Sequence, residues 1–304
     1  MTAREGSRVV GDGIWAQEVG EGPLVALVHG AMDRSGGMLR VRRALQPSCR
    51  VLRYDRRGYA RSLSAGPPTS FGQQVDDLAA LLDGRPAVLA GHSFGGLICL
   101  ALAERRPELV RSVLAYEAPM SWAPWWPGGR TGQPPTAPSV PASVPASAPA
   151  SVSAAGARGT AARSATDADD HRQPRSDGGP GEQDHDAAEW FLRRMLGDDL
   201  WERLPASMRA ERRAEGPTLV AEMRSVRPPA PVPFEPAAIP VPVVAAHGTE
   251  TRPHHVQATE ELARRVPRGE LVVVAGANHG AHLSHPDEFA HLVRRAIDLA
   301  EQAT

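Results

Sequence analysis

"PAVLAGHSFGGLICLALAERRP", residues 86–107, decides how the rest of the chain is read. Ala87 to Ala90 form a short apolar run that ends at Gly91, and a helix-like apolar segment begins directly after Ser93, at Phe94. Such a run bounded by glycine reads as a strand buried on both faces, followed by a sharp turn and a helix. Across that turn Gly91-His92-Ser93-Phe94-Gly95 fits the pattern G-x-S-x-G, and a strand before and a helix after are the context the pattern needs. Small flanking residues permit a strained turn that lifts the Ser93 hydroxyl above the carboxyl edge of a sheet. The amino end of the following helix favours negative charge developing there. Ser93 is therefore the candidate nucleophile, against the plainer reading of a structural serine in a tight turn.

Working outward, the same punctuation recurs. "PLVALVHG" (23–30), "RVLRYD" (50–55) and "LVRSVLAYE" (109–117) are further buried-strand runs, and "SRVV" and "IWAQEV" flank the hairpin turn "GDG" at 11–13. "FGQQVDDLAALLDG" (71–84) has helical spacing, with Gly84 as its stop. After an interruption, "VPVVAAHG" (241–248) and "GELVVVAGANHG" (269–280) resume the strands, "PHHVQATEELARRVP" (253–267) is helical, and "PDEFAHLVRRAIDLAEQ" (286–302) opens with a first-turn proline. Strand and helix in alternation predict an α/β fold, a mostly parallel central sheet flanked by helices.

The interruption has two parts. Residues 119–185 hold a Trp-containing entry, "SWAPWWP" (121–127), and then a Pro/Ala/Ser-rich insertion expected to be disordered, because it cannot bury enough surface to order itself. Residues 186–238 are expected to form a helical cap, with Trp190, Phe191, Met195, Leu196 and Leu200 near one face of "AAEWFLRRMLGDDLWERL" (187–204). The core is thus expected over 1–118 and 239–304.

Composition narrows the function classes. A net charge of -1 over 304 residues gives no electrostatic reason to expect nucleic acid or an anionic membrane as partner. Two cysteines make no disulfide framework or metal-type spacing. The first residues lack an apolar signal-like stretch, and no run approaches a membrane span, so a cytoplasmic protein is the expectation. No cofactor is expected, and the expected partner is a small-molecule substrate.

Two further loops carry chemistry. His29-Gly30-Ala31 ends the first core strand; with Ser93 as nucleophile, the Ala31 and Phe94 amides are candidate oxyanion donors, and Gly30 allows the close backbone approach this needs. "GANHGAHLSHP" (276–286) offers His279, His282 and His285 after the last strand. A serine nucleophile needs a base, and His279, soonest after the strand, is the candidate. A metal site from the three histidines lacks a clustered carboxylate or cysteine, so no metal is expected.

Taken together, "HGAMDRSGG", "RYDRRGYARS" (53–62), "GHSFGG", the strand ending in Glu117, and "GANHGAHLSHPDEFA" resemble the α/β-hydrolase superfamily over roughly 8–120 and 238–300. The resemblance implies the α/β-hydrolase fold with a helical cap insertion, a Ser93–His279–acid triad, and an oxyanion hole of Ala31 and Phe94. It makes Asp55 and Arg56 structural braces. In many relatives the acid stands three residues after the glycine that ends the strand at 241–248, where this chain has Thr251. Glu117 closes the neighbouring strand, a place from which some relatives supply the acid, so it is the leading candidate and Glu250 the alternative. A serine nucleophile argues against the dehalogenase and epoxide hydrolase branches, which use aspartate. The expected function is a serine hydrolase, esterase-like, cleaving a small to medium carboxylic ester, lactone or thioester through an acyl-serine intermediate. The alternatives are an acyltransferase or cofactor-free perhydrolase (haloperoxidase-like) on the same triad, and a non-catalytic ligand-binding member of the fold. Trp122, Trp125 and Trp126 either line an acyl pocket or pack beneath the cap.

Overall fold

The computed structural model describes residues 6–10, 13–127 and 180–303. The Pro/Ala/Ser-rich insertion expected after the tryptophan cluster falls on 128–179, outside the described residues. Among the described residues no helix is long and apolar enough to cross a membrane.

Among the described residues eight strands form one sheet: β1 (Gly6–Val10), β2 (Ile14–Val19), β3 (Leu24–Val28), β4 (Arg50–Tyr54), β5 (Ala87–His92), β6 (Val110–Tyr116), β7 (Val243–Gly248) and β8 (Gly269–Val274), in the spatial order β1-β2-β4-β3-β5-β6-β7-β8. β2 pairs antiparallel with both β1 and β4, and every pair from β4 across to β8 is parallel. β3, β5 and β7 are buried at every residue, as continuous apolar runs covered on both faces should be.

The two faces divide by alternation along each strand. Val25, Leu27, Val88 and Ala90 point to one side, where α1 (Leu39–Leu45) contributes Val41 and Leu45 to the core. Leu24, Ala26, Val28 and Leu89 point to the other, against α2 (Phe71–Leu82) and α3 (Phe94–Arg105). In α3 all ten residues from Phe94 to Ala103 are buried, which is why it has no polar face. α1 has no counterpart in the sequence reading: it is seven residues long, starts without a side-chain cap, and buries only two apolar residues. At the end of α2 the left-handed turn is made by Asp83 (φ 53°) and then Gly84 (φ 72°).

Among the described residues of the insertion there are four helices: α4 (Pro180–Leu196), α5 (Asp198–Arg203), α6 (Ala206–Ala214) and α7 (Gly216–Ser225). Their apolar face differs from the one the sequence predicts. Ala188, Leu192, Trp201 and Leu219 are the buried set, packed on Met32 and Tyr59 of the core. Met195, Leu196 and Leu200 are 44%, 44% and 50% exposed. Gly197 (φ 87°) breaks the segment, so Leu200 does not share a helical stripe with the residues before it, and Met195 and Leu196 end α4 without joining the cluster. The chain then returns to the sheet and completes it with α8 (Pro253–Arg265), the short α9 (Ala281–Ser284) and α10 (Pro286–Glu301), whose proline sits in the first turn.

Buried polar contacts fix the insertion to the core. Arg56 and Glu222, 1% and 0% exposed, form an ion pair. The Tyr59 hydroxyl donates to Glu222 Oε2 at 2.7 Å, Thr218 Oγ1 donates to the Gly58 carbonyl at 3.2 Å, and Arg34 Nε donates to Glu215 Oε1 at 2.8 Å. Asp55 braces the same turn, accepting from the Ser35 amide (2.9 Å) and from Arg61 Nε (2.6 Å).

Candidate active site

The turn after β5 places Ser93 at φ 52°, ψ −123°, a backbone region that non-glycine residues rarely occupy and that costs on the order of 1–3 kcal/mol. The surrounding packing enforces it. A Cβ on Gly91 would lie 2.5 Å from the Gly95 carbonyl oxygen, and one on Gly95 would lie 2.3 Å from that of Val28. Only glycine lets helix α3 start this close to the sheet. The Ser93 amide donates to the Tyr116 carbonyl at 2.8 Å, which ties the turn to β6.

β6 ends one residue before Glu117, which also takes a left-handed backbone (φ 46°) and donates its amide to Ala246 of β7 at 2.9 Å. Its carboxylate is fully buried and meets three donors. His279 Nδ1 and Thr251 Oγ1 each lie 2.7 Å from Oε2, and the Gly248 amide lies 3.0 Å from Oε1. Burial alone would raise the Glu117 pKa; His279 and these other donors outweigh it and hold the carboxyl below its ordinary value. A carboxylate can only accept, so in the neutral ring the proton of His279 sits on Nδ1 and Nε2 keeps its lone pair.

His279 is fixed from several sides. Tyr116 donates its hydroxyl to the Asn278 carbonyl at 2.9 Å, and His92 Nε2 meets the His279 carbonyl at 2.7 Å. His255, in the first turn of α8, stacks on the His279 ring at 4.5 Å with an interplanar angle of 25°. Burial and the nearby His279 push the His255 pKa far down, and burial lowers that of His254 to about 4. Both rings are therefore neutral at ordinary pH. Ser93 joins the assembly through its neighbour His92. Among the described residues no hydrogen bond runs directly from the Ser93 hydroxyl to the His279 ring, a link that commonly tightens only around substrate.

The loop after β3 lies against the serine. Gly30 is so close that a Cβ there would stand 3.1 Å from Ser93 Cβ. Arg56 donates its amide to His29 Nε2 (3.0 Å), so His29 donates from Nδ1 to the Gly30 carbonyl (2.9 Å), which also receives Arg56 Nη2 (2.9 Å). Met32 follows at φ 53°, its amide 3.3 Å from the Tyr59 hydroxyl. Among the described residues the Ala31 and Phe94 amides donate to no protein acceptor, and Phe94 opens α3, where amides are free by construction.

Of the residues singled out in the sequence, the structure brings Ser93, Glu117, His279, Ala31 and Phe94 to one edge of the sheet. Glu250 is exposed in the turn after β7, its amide donating to Ala277 at 2.9 Å, while Glu117 occupies His279 Nδ1. Trp122 packs edge-on against Phe234 (5.5 Å), and Trp125 lies 6.1 Å from Trp126. The tryptophan that reaches toward the site is Trp126, edge-on to His254 (4.6 Å) and His255 (5.4 Å). Sequence reasoning passed over His254 and His255 as site residues. Their signal was position: a helix that follows a parallel strand begins at the sheet's carboxyl edge.

Residues 25–292 match the model of the Alpha/beta hydrolase family, a span that takes in the sheet from β3, save its first residue, to β8. The chain belongs to the alpha/beta hydrolase family. It is 34% identical over 123 residues to the uncharacterized hydrolase YraK of Bacillus subtilis, covering 38% of this chain and 45% of that one. It is 36% identical over 96 residues to the lipase LipV of Mycobacterium tuberculosis, covering 31% and 36%. The matched stretches thus span less than half the length of these relatives. A putative lipase from Acinetobacter baumannii has a similar fold, with a TM-score of 0.66 at 17% identity over 99% of this chain and 93% of that one.

Proposed function

We propose that the protein is a serine hydrolase of the esterase type, acting on a small to medium carboxylic ester, lactone or thioester. The observation that carries this is the buried Glu117 carboxylate 2.7 Å from His279 Nδ1, at the sheet edge where Ser93 stands in a strained turn. His279 Nε2 takes the Ser93 proton as Oγ attacks the acyl carbonyl carbon. The Ala31 and Phe94 amides receive the oxyanion, and Glu117 remains ionised and stabilises the imidazolium. The imidazolium then gives its proton to the departing alcohol or thiol. A water deprotonated by His279 attacks the acyl-serine, and the carboxylic acid leaves with Ser93 restored. Likeness to the lipase LipV supports the ester class, and the uncharged His254, His255 and Trp126 beside His279 suit an uncharged acyl group.

The test is a panel of p-nitrophenyl esters of graded chain length, combined with labelling by a fluorophosphonate. Ser93→Ala is expected to abolish labelling and to lower kcat/KM by about 10⁴-fold or more, and Glu117→Gln to lower it by about 10³–10⁴-fold with labelling slowed. Wild-type protein that neither turns over any ester or thioester nor takes the label contradicts the proposal.

A further inference from the structure

We propose that His92 and His282 bind a divalent transition-metal ion, Zn²⁺ by the nature of the donors, with Asp33 as the carboxylate that orients His282, which ties together the three loops around the candidate active site. The proposal does not rest on the serine chemistry. One potential ligand atom from each residue lies within 4.8 Å of the other two. Both rings are deeply buried, His92 at 6% and His282 at 2% exposure.

Hydrogen bonding identifies which nitrogens are free. His92 Nε2 lies 2.7 Å from the His279 carbonyl. A carbonyl only accepts, so Nε2 carries the proton and the neutral ring keeps its lone pair on Nδ1. His282 Nε2 lies 3.0 Å from Asp33 Oδ2, which by the same logic leaves the His282 lone pair on Nδ1. Both Nδ1 atoms are buried without a hydrogen-bond partner. Buried polar atoms left unpaired are rare. Two in one cluster, on rings whose centroids are 4.1 Å apart and tilted by 38°, beside a carboxylate, point to a ligand that completes them.

Nitrogen from two imidazoles is a donor type that suits Zn²⁺. A carboxylate that holds the second nitrogen of a histidine is also the usual support for an imidazole–metal bond, because it fixes the tautomer and raises the basicity of the ligating nitrogen. Asp33 is itself anchored, its Oδ1 accepting the Arg34 amide at 2.7 Å. The carboxylate that meets His282 comes from 249 positions away in the chain. The ion would join the turn that carries Ser93 to the loop that carries His279 and, through the Asp33–His282 contact, to the loop that carries Ala31.

The competing cluster is Glu117, His255 and His279, in which only one histidine, His255, leaves a buried nitrogen without a hydrogen-bond partner. The test uses chelator-stripped protein titrated with Zn²⁺ by calorimetry, and with Co²⁺ followed by visible absorption. One ion per chain is expected, with cobalt bands of a nitrogen- and oxygen-ligated site and a rise in Tm when Zn²⁺ is added. His282→Gln and Asp33→Asn should weaken Zn²⁺ binding at least tenfold, and His255→Gln should leave it unchanged. Circular dichroism reports whether each variant is folded. If one is not, the wild-type cobalt spectrum still decides, because a spectrum without imidazole-ligated cobalt overturns the site. No binding by wild type, undiminished affinity in folded His282→Gln, or loss in His255→Gln also overturns it. Fluorophosphonate labelling of Ser93 is read separately, so failure of the metal site and failure of the hydrolase reading are distinguishable.

Discussion

Thr251 stands where many family relatives carry an acid, and its hydroxyl donates to the glutamate that closes the adjacent strand. That contact gives Thr251 work of its own. Glu117 needs its lone pairs filled while it stays ionised inside the protein, and the Thr251 hydroxyl supplies one of the three donors that do so. Hydrogen bonds to a charged partner contribute about 1.5–3 kcal/mol. Thr251→Val keeps the shape and removes the donor, so kcat on the best ester should fall about tenfold with KM little changed, and Thr251→Ser should recover most of the loss. A valine variant with wild-type kcat would mean that the hydroxyl is dispensable. At this scale the sequence was informative where a residue type is scarce in its context, as for Ser93 between glycines. It was silent about Thr251, because nothing local marks a hydroxyl as a donor to a carboxylate 134 positions earlier.

Elements position these groups through two devices. The strand–turn–helix unit of β5 and α3 was legible because its glycines and apolar run are contiguous. All eight strands were legible for the same reason, each being a short run bounded by turn residues. The apolar face of the cap was not, since it depends on where Gly197 interrupts the helix and on which core residues come to meet it. The second device is the junction of α7 with the core, where Glu222 accepts from Arg56 and Tyr59 while Arg56 also holds the Gly30 carbonyl. Removing one partner of a buried ion pair leaves the other charge unpaired and costs about 3–5 kcal/mol. Glu222→Ala should therefore lower stability by that amount in denaturant titration. It should also slow the catalysed reaction, because the loop presenting the Ala31 amide loses its brace. Unchanged stability would mean that Arg56 finds another partner.

At the scale of the whole molecule, acid should unfold the protein in two stages. Burial lowers the pKa of His29 from 6.5 to about 4, and that of His254 falls similarly. The unfolded chain therefore takes up protons first. Stability is full above pH 6.5 and is lost as pH falls from there toward 4, with His29 alone contributing about 3 kcal/mol. Asp33, Asp55 and Glu117 are also depressed: burial opposes the charge of each, and hydrogen-bonding and charged partners outweigh it. Their contribution is present above the ordinary carboxylate range and is lost as pH falls through their lowered values. Thermal unfolding across pH 3–8 should show Tm declining below about 6.5, and declining again below about 4. A flat profile between 7 and 5 would contradict the assignment of neutral buried histidines.

One oxygen, Glu117 Oε2, receives both His279 Nδ1 and Thr251 Oγ1 at 2.7 Å. The ends of two neighbouring strands therefore reach the same point in space, and the imidazole sees one spot that either can furnish. On the proposed chemistry, a carboxylate standing at either of these two strand ends would face the same imidazole nitrogen while the histidine, the serine and the sheet stay where they are.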